Sequence, residues 1–312
     1  MRSDVIGLDI GGSKLAAALV DPEGRVAARA EVPSPADEGP DAMIAAAAQL
    51  VNDVRASALS VGAHPVALGV ATAGVVKPGT GWIRSAVGTI RDWTGVPVGP
   101  RLAQLTGLPV AVENDVNAMA LAEVRCGAAE GARSALVVAT GTGIGGAIVM
   151  DGELRRGRTG TAGEIGHIPV QVDDEDDPRI CSCGRTGHLE ALAAGPAIEA
   201  RYASATGQAG LTGLSAIGRA GRAGDAIATA VIGTAGCILG RTIGGLCNVL
   251  DPDIVVLAGG VIALGSILLD PLTSALRDET LPGPTDVTVR VSSLGKNAGI
   301  VGAGIVARQV SS

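Results

Sequence analysis

The sequence predicts a mixed α/β protein built from two related lobes, and three observations carry that prediction. Strands and helices alternate along most of the chain, which favours a mixed sheet with helices on both faces. A glycine turn between two apolar strands occurs twice in the same layout. Finally, 312 residues exceed what one small core usually holds, so two domains or one large α/β unit are expected; with 47% hydrophobic against 18% charged residues the material for a buried core is ample.

The first glycine unit, "VIGLDIGGSKLAAALVDPEGRV" (5–26), reads as strand, turn, strand, second turn and third strand. The segment "GPDAMIAAAAQLVNDVRASAL" (39–59) has apolar residues at helical spacing, and "PVALGVATAGVV" (65–76) reads as a buried strand. In "LPVAVENDVNAMALAEVRCG" (108–127) a strand runs into a helix capped by Asn114 or Asp115. The second glycine unit, "ALVVATGTGIGGAIVMDGELRR" (135–156), repeats the first. Beyond it come an acidic run "DDEDD" (173–177), read as a solvated loop, and helical stretches at 190–205 and 225–250. A strand "DIVVLAGGV" (253–261) and a last helix within 296–310 complete the chain.

Composition excludes several functions. Phe is absent, Tyr occurs once and Trp twice, so the surface offers almost no platform on which single-stranded bases would stack, and a net charge of −7 is the wrong sign for a phosphate backbone. No nucleic-acid partner is expected. The N-terminus runs directly into a strand, no 18-residue uninterrupted apolar run occurs, and neither a signal peptide nor a membrane span is predicted. Five cysteines, an odd number in a long unsignalled chain, point to reduced thiols and a cytoplasmic location.

Chemistry concentrates in a few stretches. In "DIGGSK" the backbone N–H groups of Gly11, Gly12 and Ser13 can face an anion without a Cβ in the way, and "ATGTGIGG" offers Thr140, Gly141, Thr142 and Gly143 after the second strand. Each turn is followed by a strand and not a helix, which excludes a dinucleotide fingerprint; two glycine hairpins gripping one nucleotide tail is the better reading. Gly259 and Gly260 end a strand where a ligand at the carboxyl edge of a sheet would lie, though a plain strand-to-helix turn explains them equally. Asp9, at the end of the first strand, is placed to face a Mg²⁺ ion through water. "CSCGRTGHLE" (181–190) puts two of the five cysteines and one of the three histidines within eight positions, a composition that raises the question of a metal.

The ordered set "DIGGSK", "ENDVNAMALAE", "TGTGIGGAIVMDGELRRGRTGTAGEIGH", "CSCGRTGHLE" and "LAGG" resembles the ROK family of sugar kinases and repressors over almost the whole chain. The resemblance implies a two-lobed sugar-kinase/actin-like (ribonuclease-H-like) α/β fold with a cleft between lobes, the smaller lobe holding 1–117 plus 298–312 and the larger 118–297. It implies ATP and Mg²⁺, with Lys14 among the residues of the first nucleotide turn, transfer of phosphate to the 6-hydroxyl of a hexose, and a homodimer. Asp115 matches the catalytic base, and a carboxylate at a helix start just past a strand suits proton acceptance from a sugar hydroxyl. Asn114, Glu164, His167 and Glu190 match sugar contacts, and Gly74 and Thr89 are placed with them.

The resemblance also implies a structural Zn²⁺ held by His167, Cys181, Cys183 and a third cysteine, at whose position this chain has His188. Imidazole serves zinc as readily as thiolate, so the expected set is His167, Cys181, Cys183 and His188, a closed site that fixes a loop. A second departure lies in "VGTIRDW" (87–93), where Thr89 replaces an asparagine of family glucokinases. That change leaves glucose narrowly ahead of amino-hexoses such as kanosamine, N-acetylmannosamine or N-acetylglucosamine. A sugar-sensing regulator is the alternative of another class; repressor members carry a winged helix ahead of the core, and here the "DIGG" strand begins within ten residues of Met1, which disfavours it.

Overall fold

A computed structural model describes residues 4–171, 179–207 and 213–311. The acidic run at 173–177 lies outside the described residues. Two compact units emerge, one of Met1–Gly131, Gly152–Ala162 and Ser293–Ser312, the other of Ala132–Asp151 and Gly163–Ser292.

The first unit begins with β1 (Val5–Ile10), β2 (Lys14–Val20) and β3 (Val26–Pro33), an antiparallel meander of the sequence's first glycine unit. Helix α1 (Pro40–Ser60) starts with proline at its first position, where the missing N–H costs no bond, and buries Met43, Ile44, Ala47, Leu50, Val51 and Val54 at helical spacing. Next come β4 (Leu68–Thr72), a small hairpin of β5 (Val75–Lys77) and β6 (Trp82–Ser85), and helix α2 (Val98–Thr106). Strand β7 (Val110–Asn114) then passes without a loop into α3 (Asp115–Cys126). The main sheet has the order β3-β2-β1-β4-β7, with β4 parallel to β1 and β7.

The second unit repeats this opening. Strands β8 (Ala135–Thr140) and β9 (Ile144–Met150) form an antiparallel hairpin, and the short strand β10 (Glu153–Leu154) that follows belongs to the first unit. Helices α4 (Leu189–Ala193), α5 (Gly195–Thr206), α6 (Leu214–Arg222) and α7 (Ala226–Leu250) precede β11 (Ile254–Ala258), α8 (Ser266–Glu279) and β12 (Thr288–Val291). Within this unit the strands run β9-β8-β11-β12, β11 being parallel to both neighbours. The hairpin-then-parallel-strand pattern is thus shared by both units. The helix expected over 190–205 is two helices, because the backbone leaves helical geometry at Ala194 and restarts with Gly195-Pro196. The strand expected over 253–261 ends at Ala258, and a short 3₁₀ turn takes over from Gly260.

With few aromatic rings, packing is achieved by letting backbones approach. The last helix, α9 (Ala298–Ala307), lies so close to β1, β4 and α3 that a Cβ on Gly7 would land on the Ile300 carbonyl, one on Gly69 on the Ala303 carbonyl, and one on Gly302 on the Ala118 carbonyl. In the second unit Gly236, Gly240 and Gly244 form one ridge of α7 against the Leu268, Leu272 and Leu276 carbonyls of α8. Helix α7 is long and apolar enough to span a bilayer by length and composition, and half of its most apolar stretch is buried inside the unit.

This ridge yields a paired expectation within one helix. Gly240→Ala drives a Cβ into the Leu272 carbonyl and is expected to destabilise the protein by about 1–3 kcal/mol. Gly245→Ala meets nothing within 4 Å and is expected to be neutral or to stabilise by up to about 1 kcal/mol. Chemical denaturation of both variants checks the pair.

Candidate active site and metal centre

In the first unit, the β1–β2 turn spends one amide on itself, the Gly11 N–H donating to the Lys14 carbonyl at 3.0 Å. Among the described residues, the next two amides, of Gly12 and Ser13, have no hydrogen-bond acceptor, so they are available to an anion. Thr89 closes over this turn: its methyl would lie 2.6 Å from a Cβ on Gly12, which keeps that position glycine. The Thr89 hydroxyl donates to the Val87 carbonyl at 3.1 Å and retains its acceptor lone pairs. Lys14 pairs with Glu31 at 3.5 Å on the neighbouring strand, where Arg29 joins the same carboxylate at 2.8 Å.

Asp9 is half-buried at the end of β1, its carboxylate occupying the space that a Cβ on Gly299 would need. Burial pushes its pKa from 3.8 up to about 6, against the opposing pull of Lys14 and Arg29.

At the β7–α3 junction the capping question resolves. Asn114 is the cap, its Oδ1 accepting from the N–H groups of Val116 at 3.0 Å and Asn117 at 3.1 Å, and its amide donating to the Gly74 carbonyl at 3.1 Å. Gly74 has φ +95° and sits against the Ser85 carbonyl, a conformation and a space that only glycine fits. Asp115, first residue of the helix, is half-buried and accepts from the Val116 N–H at 2.9 Å. Its helix position places the N-terminal dipole behind the carboxylate.

Sequence reasoning missed what supports this junction. Glu113, 5% exposed, accepts from the Asn114 backbone and the Asn117 amide at 3.0 Å each and is paired with Arg156. It also missed the Trp93 indole, buried and donating to the Thr72 hydroxyl at 3.2 Å, two residues before Gly74. The signal for Glu113 was present in "VENDVN", where an acid on a strand precedes Asn, Asp and Asn, but its partner Arg156 is 43 residues away.

In the second unit, the β8–β9 turn follows the same rule. The Gly141 N–H donates to the Gly143 carbonyl at 2.8 Å, and among the described residues the amides of Thr142 and Gly143 have no acceptor. Gly259, at φ +94°, packs where a Cβ would strike the Thr140 backbone, so two predicted nucleotide elements touch. Gly260 borders open space.

The four predicted metal ligands converge. One ligand atom from each of His167, Cys181, Cys183 and His188 lies within 4.8 Å of all the others. His167 Nδ1 is 3.4 Å from Cys181 Sγ, and His188 Nδ1 is 3.3 Å from Cys183 Sγ. Zinc bonds of about 2.3 Å to sulfur and about 2.0 Å to nitrogen put adjacent ligands roughly 3.5 Å apart in a tetrahedron, so these residues fit the ion. The sequence folds this way because Gly184 (φ +84°) and Gly187 (φ +71°) turn the chain sharply, with the Cys181 N–H on the Arg185 carbonyl at 2.8 Å. Cys181 and His188 are buried, His167 is half-buried and Cys183 is exposed. Burial pushes the Cys181 thiol up, which a cation would reverse.

Because Nδ1 of His167 faces the cysteine, Nε2 points the other way, 3.9 Å from Glu164. The Glu164 carboxyl is raised by burial, with His167 pulling against that shift and Glu190 adding to it. Glu190 reaches two places at once: Oε1 accepts from the Ser182 hydroxyl and Oε2 from the Ile144 N–H at 3.1 Å.

The chain is similar to known proteins over nearly its whole length. The sequence profile of the ROK family matches residues 5–310. The glucokinase of Streptomyces coelicolor is 33% identical over 322 residues, covering 97% of each chain. The N-acetylmannosamine kinase of Escherichia coli O157:H7 is 33% identical over 304 residues, covering 97% of this chain and 98% of that one. Among solved structures, a ROK family glucokinase from Streptomyces griseus in complex with glucose and AMPPNP superposes with a TM-score of 0.83 at 33% identity, covering 98% of this chain and all of the other. With the glycine hairpins, the Asn-capped helix and the His/Cys cluster all in place along a chain matched nearly end to end, this protein belongs to the ROK family.

Proposed function

We propose that this chain is an ATP-dependent kinase that transfers the γ-phosphate to the 6-hydroxyl of glucose or a related amino-hexose. The observation that carries the reading is the β7–α3 junction, where Asn114 supplies the cap and Asp115 stands beside it as a carboxylate at the helix start. The glucokinase relatives support it.

Asp115 accepts the proton of the sugar hydroxyl as its oxygen attacks. The new bond joins that oxygen to the γ-phosphorus, and the bond from phosphorus to the bridging oxygen breaks, its electron pair leaving with ADP. Gly12 and Ser13 in one turn, and Thr142 and Gly143 in the other, donate backbone N–H groups to phosphate oxygens, and Lys14, Gly259 and Gly260 complete the nucleotide contacts. Gly11 and Gly141, whose own N–H groups are spent inside the turns, shape them, and Thr140, buried with its hydroxyl on the Ala258 carbonyl, supports the second turn from behind. Magnesium, when bound, would neutralise charge on the phosphates, and Asp9 is the carboxylate that would hold it, through water. Sugar hydroxyls are met by Asn114, Gly74, Thr89, Glu164, His167 and Glu190. Asn114 holds the helix with two bonds and the Gly74 carbonyl with a third, and keeps one amide hydrogen for the sugar.

Zinc, held by His167, Cys181, Cys183 and His188, is structural in this reading. With all four residues as ligands the ion's sphere would be closed, so it would fix the loop and the orientation of His167 Nε2 and supply no chemistry to the transfer. A cytoplasmic homodimer, acting on small molecules without nucleic acid, completes the proposal.

The amino-hexose reading has its own support. N-acetylmannosamine kinases are relatives at an identity matching that of the glucokinases. Thr89 is short and its hydroxyl is turned to Val87, leaving room where a longer amide would reach.

Three outcomes follow. Purified protein with Mg-ATP is expected to phosphorylate glucose or an amino-hexose at the 6-position; absence of ADP release across a hexose panel would sink the reading. Metal analysis is expected to find about one zinc per chain, and none in fresh active protein would remove the metal site. Asp9 gives a pH test. A carboxyl raised to about 6 binds its proton more tightly folded than unfolded, so its burden on stability is absent below pH 4, grows between pH 4 and 6, and is complete above. Asp9→Asn is therefore expected to raise stability at pH 7.5 by roughly 1–3 kcal/mol, to change nothing at pH 4, and to raise the KM for Mg-ATP. Thermal unfolding at both pH values, beside steady-state kinetics, checks this.

A further inference from the structure

The proposed metal loop and the second phosphate turn are separated in sequence by about forty residues, yet one side chain ties them together. Glu190, on the first turn of α4, accepts from the Ser182 hydroxyl with Oε1 and from the Ile144 N–H with Oε2 at 3.1 Å. The same Oε2 fills the space beside Gly143, where a Cβ would lie 2.6 Å away. Five residues on, the Gly195 N–H donates to the Gly141 carbonyl at 2.8 Å. The segment that follows the metal loop therefore grips the β8–β9 turn on both sides of Thr142, whose amide and that of Gly143 face no protein acceptor among the described residues.

We propose that Ser182 is a positioning residue: through Glu190 it couples the metal-held 181–188 loop to the phosphate-facing 140–143 turn. The proposal rests on the kinase and zinc readings above and adds a dependence of nucleotide binding on the metal loop. Ser182 sits between Cys181 and Cys183, two of the four clustered ligand residues, so a metal held there would fix its backbone from both sides. With that backbone fixed, the hydroxyl holds Oε1, which sets the carboxylate plane, and Oε2 then fixes the peptide between Gly143 and Ile144. That peptide carries the Ile144 N–H; turning it would also turn the neighbouring amides aimed at phosphate. A carboxylate has about four acceptor sites, so Glu190 can meet a sugar hydroxyl while keeping both bonds. Release of the metal frees Ser182 to rotate away, and the phosphate turn loses one of its two grips. Because coupling is reciprocal, nucleotide binding tightens the metal loop by the same factor.

The test uses the full chain with zinc loaded. Amide hydrogen exchange at Ile144, affinity for a non-hydrolysable ATP analogue and zinc content are measured for the wild type, Ser182→Ala and Ser182→Thr. Ser182→Ala is expected to keep its zinc, to speed exchange at Ile144 about three- to tenfold and to weaken the analogue by a similar factor, as loss of one charge-assisted bond at a partly exposed site implies. Ser182→Thr, which keeps the hydroxyl, is expected to restore both. Chelation of zinc from the wild type is expected to reproduce the Ala variant's faster Ile144 exchange. Unchanged exchange and affinity in a zinc-loaded Ser182→Ala protein would overturn the bridge and leave the metal site standing. A wild type that binds no zinc overturns the metal reading and the metal's part in the coupling, while kinase turnover in that same preparation reports separately on the activity.

Discussion

The cap that Asn114 places on α3 is the interaction on which the rest of the site depends. A helix that starts directly from a strand leaves its first amides unsatisfied, and some side chain must take them. Asn114 takes two, at Val116 and Asn117, and anchors itself on the Gly74 carbonyl. Asp115 shares the Val116 N–H with this cap and stands at the first position of the helix, so capping falls to Asn114. Beneath it, buried Glu113 binds the Asn114 backbone and Asn117 while Arg156 balances its charge, so the junction is held by a network that is costly to disrupt.

A second constraint is the shortage of aromatic side chains. Ala and Gly fill the helices instead, and the contact between elements becomes backbone against backbone. Gly7, Gly69 and Gly302 set α9 onto the first unit, and the Gly236/Gly240/Gly244 ridge sets α7 onto α8. Such packing is intolerant of a single added methyl but leaves the glycine turns rigidly seated. Gly12 against Thr89, and Gly259 against Thr140, are the same device used at the ends of strands.

Much of this was legible in the sequence wherever the signal was local. The paired glycine hairpins, the strand-to-helix passage at "END" and the long helix over 225–250 follow from periodicity and turn chemistry. The metal set was legible only through resemblance, and its geometry turned on whether His188 could stand for a cysteine; the 3.3 Å approach of its Nδ1 to Cys183 places it among the ligands' neighbours. Helix α8 was not anticipated, since Pro271 within it removes an amide and reads as a break. Its helix persists because the glycine ridge of α7 packs along it, and Gly236 lies against Pro271 itself. Glu190 was read as a sugar contact alone, because its bonds to Ser182 and Ile144 join residues with no common period.

Proton acceptance by Asp115 is the central claim, and it is tested most directly by comparing turnover with sugar binding in Asp115→Asn. The replacement keeps size and helix position and removes the base. Calorimetric affinity for the phosphorylated hexose's parent sugar is expected to change by no more than a few-fold, while kcat falls by about 10²–10⁴. A kcat within tenfold of the wild type, with sugar still bound, would contradict the account.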